Sequence, residues 1–409
     1  MTRQILCTTL LVVLLSPLAF AQQPTTPSPQ TTVDISRGGV TIASGVNSLT
    51  IGARPQFRWT VGDREAYDAD TIGTGVGQPD GAFSQFDVVR LRLSLSGGMY
   101  RPWFRYLFQF DFSRTTGESA SKIKDAILEI RPVGKTYRFQ VGQFKAPFGL
   151  QQLNSSGRLQ FVDRAITDAK FNPGREMGVM FAGTIPGWHL GYEAGAFNGS
   201  GESVRQNNQS QLWVSRVYFD PFGTYTLAEG SSDAGDKPVL HIGGALRAGK
   251  AIRGRTPAGV IENADNELAY NVEFAYKSAR FYSTAEHFWM IDEQANPVVG
   301  PDIDSRGYHA QASVMVVPKT TEVGVQYAWI AGNTNVDDSA VTEFRGVVSY
   351  YFQAHNLKLQ ADAGQVGFGP AFSTLSARAR QGLPVLGPRL VSGEQLSDTQ
   401  VRVQLTLIF

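Results

Sequence analysis

Leu49-Thr50-Ile51-Gly52-Ala53-Arg54-Pro55-Gln56-Phe57-Arg58-Trp59-Thr60-Val61 sorts into two chemically distinct faces when it is read with period two. Leu49, Ile51, Ala53, Pro55, Phe57, Trp59 and Val61 fall on one side, and Thr50, Gly52, Arg54, Gln56, Arg58 and Thr60 on the other. Successive side chains of a β-strand point to opposite faces, so this stretch reads as a strand between an apolar and a wet environment. The pattern returns at once. Val89, Leu91, Leu93 and Leu95 oppose Arg90, Arg92, Ser94 and Ser96, and Phe104, Tyr106, Phe108, Phe110 and Phe112 oppose Arg105, Gln109 and Asp111. The last run sets Val401, Val403, Leu405, Leu407 and Phe409 against Arg402, Gln404 and Thr406, so the alternation reaches the final residue.

Such runs number about 16, an even count within the range of bacterial single-chain barrels, in which lipid offers the backbone no hydrogen-bond partner. The links between runs alternate in length. Short ones at 97–101, 132–135, 184–187, 278–280, 317–319 and 353–356 are separated by long ones at 62–84, 145–174, 198–210, 249–266, 291–305 and 365–396. Membrane barrels pair short periplasmic turns with longer outer loops, which assigns the two sets. The link 221–237 departs from the rule, because it falls at a periplasmic junction yet is long and rich in Gly and Ser. A soluble sandwich or propeller would also alternate. Link parity, the export signal and the terminal Phe409 together favour an all-β fold, a transmembrane antiparallel β-barrel.

Residues 1–21 read as a signal peptide: Arg3 is positive, 5–15 is apolar, and Ala19-Phe20-Ala21 offers a small-x-small cleavage site. Residues 22–46 begin with a run of Gln, Thr, Pro and Ser and are expected to form a flexible periplasmic lead-in, which leaves 47–409 for the barrel. The single cysteine, Cys7, lies in the leader, so the exported chain has no thiol for a disulfide or a thiolate metal site. Loss of Arg3 with the leader takes the 37 basic residues to 36, against 36 acidic ones. A nucleic-acid partner normally requires a basic surplus, and none is expected here.

Val141-Gly142-Gln143-Phe144-Lys145-Ala146-Pro147-Phe148-Gly149-Leu150, followed by Pro173-Gly174-Arg175-Glu176-Met177-Gly178-Val179, resembles the phosphate-selective porin O and P family, as do 90–113 and 124–133. The resemblance implies a sixteen-stranded barrel, usually a homotrimer, whose infolded third outer loop narrows the channel; here that loop matches 145–174. It also implies a channel lined with arginines. The alternation puts Arg54, Arg58, Arg90, Arg92, Arg105, Arg138, Arg216, Arg345 and Arg402 on inward faces. Within the loop, Lys145, Arg158, Arg164, Lys170 and Arg175 outnumber Asp163 and Asp168, so the expected constriction is locally positive. The function expected is passive diffusion of small hydrophilic solutes, with small anions such as phosphate preferred. A guanidinium keeps its charge and offers a fork of donors, so a row of them can hand an anion along while replacing its hydration. Two rival readings stay open. The arginines could instead pair with inward Asp111, Glu129, Glu273 and Asp362 as wall struts, or the barrel could be a surface adhesin or receptor that binds through its long loops.

Enzymatic chemistry has little to build on. His189, His241, His287, His309 and His355 are scattered, and neither a His-Glu-x-x-His spacing nor a Gly-x-Ser-x-Gly elbow occurs. A lipase of the outer membrane needs Ser and His on the lipid face, whereas His309 alternates inward with Gln311 and Ser313. No cofactor and no metal site are expected. Trp59, Trp103, Trp188, Trp213, Trp289 and Trp329 fall near strand ends, where an amphipathic ring suits the membrane interface. The remaining expected partners are outer-membrane lipid, lipopolysaccharide and the barrel assembly machinery. Lipopolysaccharide could be bridged through divalent cations to Asp68 and Asp70, Asp302 and Asp304, or Asp337 and Asp338, and the ending at Phe409 resembles a barrel assembly signal.

Overall fold

The computed structural model describes residues 30–35, 39–64, 81–113, 122–204, 210–251, 265–293, 301–384 and 393–409. The expected leader 1–21, the first part of the lead-in, and Asp68 and Asp70 lie outside these residues. The first nine strands are β1 Thr32–Asp34, β2 Val40–Ser44, β3 Asn47–Arg64, β4 Phe83–Met99, β5 Arg101–Asp111, β6 Lys122–Ile130, β7 Tyr137–Lys145, β8 Arg175–Ile185 and β9 Leu190–Phe197. The next nine are β10 Leu212–Phe219, β11 Val239–Ala251, β12 Asp265–Lys277, β13 Phe281–Glu293, β14 Ile303–Val317, β15 Thr321–Ala331, β16 Val341–Gln353, β17 Leu357–Phe368 and β18 Leu396–Leu407. Three short helices, α1 Leu150–Leu153, α2 Thr167–Phe171 and α3 Ala377–Arg380, lie in links. Each strand from β3 onward pairs antiparallel with its successor, and β18 pairs back onto β3 from Asp398↔Arg64 to Thr406↔Gln56. The result is a closed cylinder of sixteen strands, β3 to β18.

Closure divides β3 in two. Its upper part bonds to β18, while its lower part bonds to β2 from Val40↔Ile51 to Ser44↔Asn47. Ala53 stands at the junction; its N–H donates to the Phe409 carbonyl at 2.6 Å and its carbonyl accepts from the Phe409 N–H at 3.0 Å. The lead-in expected to be flexible through residue 46 is therefore paired over 40–44, and β1 adds to β2 in turn. The physical reason is that β3 outruns β18, and its lower N–H and C=O groups would otherwise form an open edge.

The usual rule of burial is inverted. Along β16, Glu343, Arg345, Ser349 and Tyr351 are buried, whereas Phe344, Val348, Tyr350 and Phe352 are exposed. Most charged and polar residues therefore face the lumen, joined there by an apolar cluster that includes Phe288, Met290, Val341 and Phe368, and the outward residues are apolar, where lipid accepts them at no solvation cost. One local departure occurs in β4. Gln56 pairs with Arg90 but Phe57 pairs with Val88, so Val89 is the extra residue of a bulge. The bulge keeps Val88 outward while Arg90 stays inward.

Links at one end are short, namely 131–136, 186–189, 278–280, 318–320, 354–356 and the single residue Tyr100; Tyr100 and Lys319 adopt left-handed backbone to turn so tightly. Those at the other end are all longer, and 146–174 is the third of them. The exception at the short end is again the link after β10, which runs over 220–238. Tyr270 packs on Trp289 and Tyr308 on Trp329 with ring centroids 5.0 and 5.6 Å apart, near the long-link rim, while Trp103 and Trp188 lie at the short-turn rim.

Gly142 of β7 has φ +126°, and a Cβ there would run into the Ala126 carbonyl of β6. Gly142→Val is expected to add about 1–3 kcal/mol of backbone strain to that collision and to prevent β6–β7 pairing. Loss of the fast-migrating folded band on unheated gels, with the band retained for Val141→Ile, is the expected outcome.

Candidate functional site

The strands that flank the closure seam bring together most of the predicted inward arginines. Arg54 lies opposite Arg92, Gln56 opposite Arg90, Arg58 opposite Gln404, and Arg402 opposite Asp362, so β17, β18, β3 and β4 form one continuous basic arc, with Arg345 of β16 at its edge. Its partners are mixed. Arg92 Nε donates to Asp111 at 2.7 Å, Arg402 binds both Asp362 oxygens at 2.7 and 2.6 Å, and Arg345 Nε donates to Glu343 at 2.6 Å. Arg58 and Arg90 reach the link residue Asp163 at 2.7 and 3.2 Å, and Arg402 reaches the same carboxylate at 3.2 Å. Arg54 donates to the Ser155 hydroxyl.

A second arc is balanced. Arg216 Nη2 lies 2.6 Å from Glu273, and Nη1 lies 3.1 Å from Glu193, which also takes Arg138 at 3.2 Å. Glu129 is 3.5 Å from Arg138 and 2.9 Å from Arg131. Of the nine arginines read from sequence, Arg105 alone is both exposed and without an ion pair among the described residues; it lies opposite Glu129 in register. All four carboxylates weighed as strut partners, Asp111, Glu129, Glu273 and Asp362, have an arginine partner.

Residues 146–174 touch inward side chains of β13, β14, β16, β17, β18, β3 and β4. Glu286 of β13 accepts from the N–H groups of Leu150 and Gln151 at 2.7 Å each, capping α1 with a carboxylate. Asp362 of β17 accepts from Val162 N–H at 3.3 Å, Glu343 of β16 from Ile166 N–H at 3.0 Å, and Thr167 Oγ1 meets His309 Nδ1 of β14 at 2.7 Å. Together with the Asp163 contacts to β3, β4 and β18, this set of partners is available only to a segment inside the cylinder. Phe148 and Phe171 pack on Phe288 of β13, the latter stacked at 5.1 Å. Each buried Phe contributes about 1.5–3 kcal/mol to holding the segment. The family-like stretch explains the entry of the segment: Gly149 has φ +77°, and a Cβ there would strike Asn172, so only glycine admits the chain at this bend.

Most of the cations read as a positive constriction turn out to be fasteners. Lys145, at the end of β7, donates to the carbonyls of Leu153 and Asn154 at 3.2 and 2.7 Å, and Arg164 donates to those of Gln151 and Asn154 at 2.9 and 2.7 Å. Lys170 donates to Ala379 O at 2.8 Å, tying α2 to α3, and Arg175 binds Asp125 of β6 through two bonds of 2.9 Å. Arg158 is exposed, and among the described residues its guanidinium has no carboxylate partner. Asp304, a member of one acidic pair considered for cation bridging, accepts from Trp289 Nε1 at 2.8 Å and pairs with Arg306 at 3.4 Å.

Sequence reading missed the role of 220–238. Glu229 of this link is buried and accepts from Gln160 N–H at 2.9 Å, from Gln311 at 3.0 Å and from Asn154 at 3.4 Å; its own N–H donates to Arg158 O at 2.9 Å. Lys277 donates to Ala228 O at 2.7 Å, and Ser231 N–H donates to Glu322 at 3.1 Å. Thus a segment entering from the short-turn end meets the third long link within the lumen. The length and Gly/Ser content of the link were the available signals, but they named no contact.

A closed barrel with an apolar outside, a charged lumen and two inserted segments is a channel-forming barrel of the bacterial outer membrane. The chain belongs to the phosphate-selective porin O and P family, whose profile matches residues 60–366. Comparison with curated protein sequences gives no significant match. Among solved structures, an anion-selective porin from Comamonas acidovorans is similar with a TM-score of 0.56 and 13% identity, covering 89% of this chain and 100% of its own. OmpT of Vibrio cholerae, folded in vitro and in its trimer form, gives 0.51 and 12%, with coverages of 88% and 99%. The channel DcaP of Acinetobacter baumannii gives 0.52 and 10%, with 89% and 97%. At such identities the likeness is one of fold.

Glu229→Ala leaves the N–H of Gln160 and the side-chain amides of Asn154 and Gln311 without this acceptor. Each buried orphan costs about 1–3 kcal/mol. The expected outcome is a lower unfolding temperature in detergent and larger, noisier single-channel currents; currents of unchanged size and noise would mean that the junction does not limit flow.

Proposed function

We propose that this porin conducts small hydrophilic solutes with a preference for anions, phosphate among them, and that 146–174 sets its narrowest point. The observation that carries the reading is the arc at the seam, where Arg54, Arg58, Arg90, Arg92, Arg345 and Arg402 face Asp111, Asp163, Glu343 and Asp362, six cations against four anions. The opposing set of Arg131, Arg138 and Arg216 with Glu129, Glu193 and Glu273 is balanced, three cations against three anions. Family membership and the anion-selective porin of the same fold support the sign of the preference. A unit pair at 4 Å is worth about 4 kcal/mol at an effective dielectric of 20, and sharing among several wet, partly paired guanidiniums spreads it into a shallow profile that favours transit over capture.

The remaining parts of the reading follow the same logic. Residues 1–21 direct export and are removed. The mature chain assembles through Phe409 with the barrel assembly machinery, the apolar face and aromatic rims contact lipid and lipopolysaccharide, and three copies associate. The family resemblance and the trimeric OmpT relative in fold support that last point.

Planar-bilayer reversal potentials in a potassium chloride gradient test the central claim, with anion preference expected. Cation preference ends it, and absence of conductance favours the adhesin or receptor reading. Arg58→Ala and Arg90→Ala are expected to lower the anion-to-cation permeability ratio. Arg216→Ala leaves buried Glu273 with His241 Nε2, 3.1 Å away, as its remaining partner, so it is expected to cost stability, up to about 3–5 kcal/mol, and to lower the anion-to-cation ratio less than Arg58→Ala does. Thermal unfolding and reversal potential, read on the same preparations, separate the two roles.

A further inference from the structure

The Asp163 carboxylate lies where a solute anion would bind. Its Oδ2 is 2.7 Å from Arg58 Nη1 and 3.2 Å from Arg402 Nη1, and its Oδ1 is 3.2 Å from Arg90 Nη2. The three guanidiniums are almost covered, with side-chain exposures of 12, 19 and 8%, whereas the carboxylate that covers them is 29% exposed. The other side-chain partners of Arg58 and Arg90 are neutral. Gln404 Oε1 accepts from Arg58 at 3.0 and 2.8 Å, and Gln56 Oε1 accepts from Arg90 at 3.1 Å. Asp163 is thus the sole carboxylate that meets Arg58 or Arg90 among the described residues, while Arg402 keeps Asp362. With Asp163 in place the seat carries three positive and two negative charges; with Asp163 swung away it carries three against one.

We propose that Arg58, Arg90 and Arg402 form an oxyanion seat in the pore, and that Asp163 is its resting occupant, a tethered competitor that a carboxylate or phosphate of a passing solute displaces. This rests on the anion-preferring reading above and names the residue that sets how tightly the pore holds its cargo. Displacement asks for little movement. The backbone beside Asp163 stays fixed by Val162 N–H on Asp362, so rotation of a partly exposed, short side chain is enough. Protons do not open the seat. Partial burial alone would raise the Asp163 carboxyl, but Arg58, Arg90 and Arg402 outweigh that effect and hold it well below the usual carboxylate range. The contact is lost only when pH falls through that depressed value, so an incoming anion, not acid, is the agent of release. A guanidinium triad with no occupant would hold a dianion firmly; an internal carboxylate weakens that hold and keeps solute moving.

The test is block of chloride current through purified full-length channels by sodium phosphate and, separately, sodium succinate, in wild type, Asp163→Asn and Asp163→Glu. In Asp163→Asn the concentration of either anion that halves the current is expected to fall by about tenfold, the equivalent of removing about 1.4 kcal/mol of competition, with a higher anion-to-cation ratio. Asp163→Glu is expected to restore weak block, and Arg58→Gln added to Asp163→Asn to abolish the gain. A fall with one anion alone still supports the seat and names its preferred ligand. Half-block values unchanged in Asp163→Asn, in channels that keep the folded gel mobility and anion preference of wild type, overturn the seat but leave the porin reading intact. A wild-type channel without anion preference overturns the functional reading instead.

Discussion

Closure of β18 onto β3 is the constraint from which the rest follows. A strand edge in hydrocarbon leaves N–H and C=O groups with nothing to bond, so the sheet must meet itself. Once it has, every strand is obliged to show one face to lipid and the other to the lumen, and the alternation becomes compulsory for sixteen strands. The seam also decides where charge collects. Bringing the last strand beside the first places Arg402 next to Arg58 and Arg90, residues more than three hundred positions away in the chain. The N-terminal β2 and the C-terminal Phe409 then share what is left of β3, so both ends of the described chain protect the same seam.

A second constraint acts inside. Irregular backbone within a barrel carries amide groups that no ladder satisfies, and each has to be matched or kept wet. Here the matching falls to carboxylates on the wall and on the 220–238 link. Glu286, Asp362, Glu343 and Glu229 each accept at least one N–H from 146–174. Some of these acids are themselves held by arginines, as Asp362 is by Arg402 and Glu343 by Arg345. Wall arginines thus serve two purposes. Some, such as Arg402 and Arg345, fix the acids that fix the inserted segment, and others, Arg58 and Arg90, meet a carboxylate of that segment directly.

That division bears on how a pore can be selective without binding too well. A lumen of bare arginines would trap multivalent anions, whereas one in which each arginine is matched would have no preference. The seam arc lies between these limits, since its excess positive charge is small and one of its carboxylates is borne on an inserted segment instead of a strand. Selectivity in such a design depends on which basic residues are matched as well as on how many there are.

Period two, link parity and the aromatic terminus made the barrel, its strand number and the inward direction of the arginines legible in the amino-acid order alone, because lipid on one side and water on the other leave their mark on every second residue. Family-like residues around Gly142 and Gly149 also marked the link that enters the lumen. The sequence could not say that Lys145, Arg164, Lys170 and Arg175 would be spent on carbonyls and Asp125, that Glu229 would join two inserted segments, or that Asp163 would sit among three guanidiniums. Those partners lie far apart along the chain, and which charges cancel depends on where closed strands and inserted links converge. Alternation is a local property written residue by residue, whereas charge pairing in the lumen is decided by distance in three dimensions.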